Sequence, residues 1–180
     1  FEQGTPLGIK SLSTTNDWYL TTYGQNPTEA AYVMASNVNN IDASKPWYDR
    51  VVEIAEFYEG KNKSDLALTG EWCQSFVNVC VAQAGLADYN PWVSESNCGD
   101  AWGMISHVAT PSKGCLVYTK NRPEDTASHV ALIISNVAEN GDFDVIEGNY
   151  EGSSVVNIRP TPMNVSDTNI VGFGCPFDEA

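Results

Sequence analysis

Apolar positions along the chain change their period near residue 114. Before it, two segments carry apolar residues three and four apart. Val51, Val52, Ile54, Ala55 and Tyr58 share one face of a helix that Ser44-Lys45-Pro46 opens, with Ser at the cap and Pro in the first turn, and that Gly60 closes. Cys73, Phe76, Val77, Cys80, Val81 and Ala84 form the stripe of a second, amphipathic helix over about 72–84, with Gly85 just beyond its end. After Gly114 the period is two. Segments 115–119, 129–135, 143–149, 154–159 and 170–174 read as strands, and Asn140-Gly141 as a hairpin turn. Helices first and a strand meander afterwards predict an α+β domain, its helices packed on an antiparallel sheet of about five strands.

Two regions lack this regularity. Residues 1–44 are rich in Thr, Ser, Asn and Gly, with breaks at Pro6, Gly24 and Pro27. They are expected to form an extension that packs on the 45–180 body through Trp18, Tyr19, Leu20 and Tyr23, with a short helix over 29–36. Residues 86–113 form a long connection punctuated by Pro91, Gly99, Gly103 and Pro111, with a helical turn expected over 101–107.

At 180 residues the chain suits one domain with a substantial core. No apolar run approaches the roughly 20 residues that span a bilayer, so membrane insertion is not expected. The net charge of −14 disfavours nucleic acid and anionic membrane surfaces as partners. It reads as a solvated acidic surface, since no block of like charges stands out. The chain opens on Phe1 with no basic-then-apolar leader, which fits a removed signal peptide or a trimmed chain. The expectation is a secreted protein. Asn62-Lys63-Ser64 and Asn164-Val165-Ser166 match the glycosylation sequon, which counts only in a eukaryotic host.

Of the five cysteines, Cys73, Cys80, Cys98, Cys115 and Cys175, no two have Cys-x-x-Cys spacing. An odd count fits one reactive thiol and up to two disulfides. If Cys73 is the free thiol, the other four allow three pairings. Cys80 reads equally well as a small buried hydrophobe.

Cys73 stands where polar loop gives way to helix, in Glu71-Trp72-Cys73-Gln74. Backbone N–H groups in a first helical turn lack intrahelical partners and favour an anion, such as a thiolate or a developing oxyanion. His129, Ala131, Ile133 and Ser135 share one strand face, and Phe143, Val145, Glu147 and Asn149 share one face of the next. A loop over 137–141 pairs residue 135 with 143 and 129 with 149. Asn149 then stands opposite His129, and Glu147 lies diagonally from it at about 7 Å between Cα atoms, within side-chain reach. The shared face, with Ile133 and Val145, is the one expected to meet the helix. Cys73 would be the nucleophile, His129 its base, and Glu147 the group that fixes the imidazole. Each residue alone has a plainer reading. A cysteine in a helix stripe is usually inert core. His107 reads as a loop or core histidine, Glu71 as an acid near a helix start, and Arg159 and Asp144 as exposed strand residues. Trp72 is a packing residue or, beside a nucleophile, one wall of a substrate groove.

Residues 71–86 (EWCQSFVNVCVAQAGL) resemble the cysteine-bearing helix of CHAP domains, the cysteine/histidine-dependent amidohydrolases/peptidases. Pro111-Ser-Lys-Gly-Cys-Leu-Val-Tyr, His129-Val-Ala-Leu-Ile-Ile and Val145-Ile-Glu-Gly-Asn149 resemble that family's following strands. The resemblance covers about 45–175. NlpC-type peptidases share the papain-like fold but usually lack the Glu-Gly-Asn strand end. The resemblance implies a papain-like fold and a peptidoglycan hydrolase, either an N-acetylmuramoyl-L-alanine amidase or an endopeptidase. It implies Cys73, His129, Glu147 and Asn149 as catalytic residues, with Trp72 and Gln74 touching substrate. Two departures stand out. Gly114-Cys115 replaces the family's common Gly-Asp, which suggests a disulfide or a buried thiol. The calcium-binding Asp-x-Asp of some members is absent, with Asp65 alone, so neither metal nor other cofactor is expected. The expected partner is bacterial cell-wall peptidoglycan or its fragments, met by a monomer. The alternatives are a papain-like amidase or acyltransferase on another substrate, or a catalytically silent binding protein.

Overall fold

Three N-terminal strands, β1 (Gly8–Ser13), β2 (Trp18–Thr22) and β3 (Ala30–Met34), form an antiparallel sheet in that order. The structure, a computed structural model, describes residues 8–13, 18–22, 30–34, 44–87 and 90–176. Strand β3 overturns the helix expected over 29–36. Its residues pair with β2 in unbroken register, from Trp18↔Met34 to Thr22↔Ala30. A complete ladder to a neighbour outweighs even the high helix propensity of Ala30 and Ala31. The other residues of that expected helix, and Tyr23, lie outside the described residues.

Helix α1 (Trp47–Phe57) begins one residue after Pro46 and buries Val51, Val52, Ile54 and Ala55, the face its periodicity predicts. Helix α2 (Cys73–Gln83) ends at a left-handed Gly85 (φ +78°). There Leu86 N–H donates to Val81 O and Gly85 N–H to Ala82 O, the paired closure that a glycine beyond a helix end permits. The expectation of an amphipathic α2 is corrected. All its residues but Ala82 are buried, Gln74, Ser75, Asn78 and Gln83 included. Buried amides need partners, and these have them: Gln74 Nε2 donates to Asn78 Oδ1, Tyr118 Oη to Gln74 Oε1, and Gln83 pairs with Tyr58 Oη. The polar stripe that suggested solvent is an internal network.

Next come a 3₁₀ turn at Pro91–Ser94, helix α3 (Cys98–Trp102) and strand β4 (Ser106–Val108). The helical turn expected over 101–107 is thus a helix ending at Trp102 and a strand after it. His107 lies on that edge strand rather than in a loop or the core. It is exposed, its ring stacked on Trp102 at 3.7 Å between centroids. The other strands are β5 (Leu116–Thr119), β6 (His129–Ile133), β7 (Asp142–Phe143), β8 (Val145–Glu147), β9 (Asn157–Ile158), β10 (Met163–Asn164) and β11 (Ile170–Cys175). The main sheet is antiparallel, in the order β4-β11-β5-β6-β8-β9, and β7 pairs with β10.

Leu132 pairs with Ile146 and Ile133 with Val145, the register predicted from the hairpin loop. The face assignment is reversed. Val130, Leu132 and Ile146 join Leu116 and Tyr118 against α1 and α2. Ala131, Ile133 and Val145 pack on the far side with Phe143, Met163 and Phe173. Both faces of β6 are apolar and covered, so alternation could not say which one meets the helices. Under that far face Cys115 and Cys175 form a disulfide across 60 residues, tying the start of β5 to the end of β11. Cys80 is a fully buried free thiol inside α2, its pKa pushed up by burial.

The end of β8 passes so close to α2 that Gly148 has no room for a side chain. A Cβ there would lie 2.5 Å from Trp72 Cζ3 and 3.1 Å from Phe76 Cβ. Gly148→Ala is therefore expected to lower the unfolding free energy by about 1–3 kcal/mol through overpacking. Urea denaturation checks this, and an unchanged midpoint would contradict so close a contact.

Candidate active site

Cys73 opens α2 with Trp72 at the cap position. The ring of Trp72 is buried beneath it, edge-on to Phe76 at 6.3 Å between centroids. Three groups surround the thiol. Cys98 Sγ, from the first residue of α3, lies 3.4 Å from Cys73 Sγ. The Gln74 backbone N–H points at it, and the His129 imidazole stands beside it. The Cys98 thiol, donating to Cys73, does most to stabilise the thiolate. Burial opposes it, and the hydrogen bond and charge of His129 act with it. Together they bring the Cys73 pKa from 9.0 down to about 5. Cys98 moves the other way: sharing its proton with Cys73, and buried, it stays a thiol.

His129 is the first residue of β6, at the end of the sheet rather than within its face. That position lets it reach Cys73 although its strand's parity points away from the helices. Its Nε2–H donates to Glu147 Oε2 at 2.6 Å. Glu147 has no solvent exposure at all. Arg159 completes its coordination, Nε donating to Oε1 at 2.8 Å and Nη2 to Oε2 at 2.9 Å. Burial works against the carboxylate's charge, but the hydrogen bonds and charges of His129 and Arg159 hold its pKa below the usual 4.5. Burial likewise opposes charging of His129, and its bonds to Cys73 and Glu147 prevail, raising its pKa from 6.5 to about 9. Between about pH 5 and 9 the site thus holds a thiolate, an imidazolium, a carboxylate and a guanidinium in sequence.

The three residues 147–149 do three different things. Glu147 supplies the carboxylate, Gly148 the close approach to Trp72, and Asn149 a left-handed turn (φ 62°) that asparagine tolerates. That turn takes Asn149 away from His129, and its side-chain amide donates to Glu71 instead. The expected pairing of Asn149 with His129 is absent. Trp72 and Gln74 are fully buried, so the side chains expected to touch substrate face the core, and Gln74 offers the site its backbone N–H.

Arg159 and Cys98 were not anticipated as site residues. A strand glutamate destined for burial needs a cation, and Arg159 follows β9, which pairs with the strand carrying Glu147. That signal was present in the sequence. Arg159 is also anchored over the Tyr150 ring, 4.6 Å from its centroid. Nothing in the spacing brings Cys98 to Cys73; the long connection hides it.

A pocket of about 370 Å³ opens nearby, lined by residues on either side of Cys98 (Asn97, Gly99, Asp100) and by the segment leading into His129 (Asp125, Thr126, Ala127, Ser128). Among the described residues no three His, Cys, Asp or Glu side chains are grouped to hold a metal ion.

Cysteine at a helix start, histidine at a strand start and glutamate on the paired strand meet in one site. Residues 65–149 are similar to a CHAP domain. The family model matches that segment, which holds Cys73, Cys98, His129, Glu147 and Asn149 but stops short of Arg159. No curated protein matches the chain. The helices and the six-stranded antiparallel sheet agree with the α+β, papain-like fold of CHAP domains. The family is one of cysteine/histidine amidohydrolases and peptidases, which suggests hydrolase or amidase chemistry on peptidoglycan.

Two outcomes follow for this site. Glu147 stabilises the fold above pH 4.5, and its contribution is lost as pH falls through its lowered folded pKa. Arg159→Met weakens that lowering, so acid unfolding should begin at higher pH. At neutral pH stability should fall by up to about 3 kcal/mol, for a buried charge left half-paired. Acid and urea titrations followed by circular dichroism check both, and coincident curves would contradict the pairing. Second, Cys98→Ala removes the principal donor to the thiolate. The acid limb of Cys73 alkylation by iodoacetamide should move from about pH 5 towards neutrality, with Cys98→Ser moving it less. An unmoved limb would remove Cys98 from the account.

Proposed function

We propose that the protein is a secreted cysteine hydrolase that cleaves amide bonds in bacterial peptidoglycan or its fragments, as an N-acetylmuramoyl-L-alanine amidase or an endopeptidase. The observation that carries this reading is the unbroken chain of contacts from Cys73 through His129 to the buried Glu147. A binding module has no use for an ionised carboxylate buried behind an imidazole that serves a thiol.

In this reading the Cys73 thiolate attacks the amide carbonyl. The charge that develops on oxygen is met by the backbone N–H groups of the first turn of α2. His129, protonated at rest, gives its proton to the departing amine as the acyl group becomes a thioester on Cys73. Neutral His129 then draws a proton from water, whose attack on the thioester releases the acid and restores the thiolate. Glu147 holds the ring by its Nε2–H throughout and stabilises its positive form. Arg159 keeps Glu147 ionised, so the carboxylate orients the ring without taking its proton. Asn149 supports the site through Glu71 rather than through the imidazole. The polar pocket beside Cys98 suits a peptide, and Asp100 and Asp125 disfavour an anionic group there.

Cys73→Ala is expected to abolish release of peptides or amines from purified peptidoglycan while leaving the circular dichroism spectrum intact. Activity equal to wild type would overturn the assignment. For the wild type, kcat/KM should rise through about pH 5 as Cys73 ionises and fall through about pH 9 as His129 loses its proton. Mass spectrometry of the released muropeptides identifies the bond cut. A Cys73 inert to iodoacetamide at pH 6 would favour a binding protein instead.

A further inference from the structure

Two free thiols face each other at the centre of this site. Cys73 and Cys98 each begin a helix, each exposes 6% of its surface, and their sulfurs are 3.4 Å apart. A disulfide needs about 2.05 Å, so an approach of about 1.4 Å would join them. The other cysteines do not compete: Cys115 and Cys175 are already joined, and Cys80 is sealed inside α2. A papain-like mechanism needs one thiol, and Cys98 is a second one within reach of the first.

We propose that Cys98 is a resolving cysteine: Cys73 and Cys98 form a reversible disulfide that switches the nucleophile off under peroxide and protects it from irreversible oxidation. This rests on the reading of Cys73 as the reactive thiol. In the first step the Cys73 thiolate attacks one oxygen of hydrogen peroxide, the O–O bond breaks, and hydroxide leaves, becoming water by taking up the proton that the Cys73 thiol gave up on ionising. Cys73 is now a sulfenic acid and, being uncharged, no longer repels ionisation of Cys98. Cys98 sulfur then attacks the Cys73 sulfur; the S–O bond breaks, the hydroxyl takes the Cys98 proton, and water leaves. In balance, two thiols and one peroxide give one disulfide and two waters. A dithiol reductant reverses it by exchange, restoring both thiols and becoming a cyclic disulfide. A short path between the sulfurs favours this closure over a second peroxide, which would carry Cys73 on to sulfinic acid.

The decisive experiment treats the full chain with about one equivalent of hydrogen peroxide, alkylates free thiols, and maps the cysteines by peptide mass spectrometry. The wild type should yield a Cys73–Cys98 crosslink and lose iodoacetamide labelling at Cys73. Dithiothreitol should restore labelling, and with it any peptidoglycan hydrolysis lost at least tenfold on oxidation. Cys98→Ser should give no crosslink, its Cys73 passing to sulfinic acid beyond rescue by dithiothreitol. The proposal is overturned if wild-type Cys73 reaches sulfinic acid as readily as in Cys98→Ser, if it links to Cys80, or if the crosslink resists dithiothreitol. A crosslink that forms and reopens in a protein inactive on peptidoglycan would uphold the latch and defeat the hydrolase reading alone.

Discussion

A carboxylate with no exposure to water governs the architecture of this site. Burying the charge of Glu147 unpaired would cost several kcal/mol, and only a cation on each side makes it tolerable. Arg159 supplies one through two parallel hydrogen bonds, and His129 supplies the other by taking up a proton. The fold must therefore bring β6, β8 and the residue after β9 into fixed register, because two side chains from two other places satisfy one carboxylate. Together with the bond to Cys73, the same demand raises the affinity of His129 for its proton, and that charge adds to the Cys98 hydrogen bond in lowering the pKa of Cys73.

Helix α2 answers the matching demand from the other side. It is enclosed by α1, the sheet and the segment around α3, so its first turn cannot drift. Gly148 and Trp72 set how closely the strand end meets the helix, and Cys73 is the residue next to that contact. The internal amides of Gln74, Asn78 and Gln83 fix the helix's rotation by directional bonds where apolar packing alone would allow slippage. Packing places the thiol, and electrostatics gives it charge.

Much of this was legible in the sequence, for reasons that mark the limits of such reading. The hairpin register followed from loop length and parity, which are local, and it correctly placed Glu147 within reach of His129. Asn149 does not stand opposite His129, because Asn149 is itself left-handed and turns the chain out of the ladder. Which face of β6 meets the helices was undecidable where both faces are apolar. Ala30 and Ala31 suggested a helix because pairing with β2 is invisible in a window of eight residues. Arg159 was within reach of argument, since a buried carboxylate implies a cation nearby. Cys98 was not: its contact with Cys73 depends on the course of the connection between α2 and β4, which carries no periodic signal.

The central claim is that Cys73 and the buried carboxylate together charge the imidazole against the cost of burial. It is tested most directly by the pH titration of the His129 ring followed by nuclear magnetic resonance in the wild-type protein. The account predicts that His129 keeps its proton through neutrality and loses it near pH 9. A midpoint at the ordinary value of 6.5 or below would show that Glu147 and Cys73 do not overcome the cost of burial, and would contradict it.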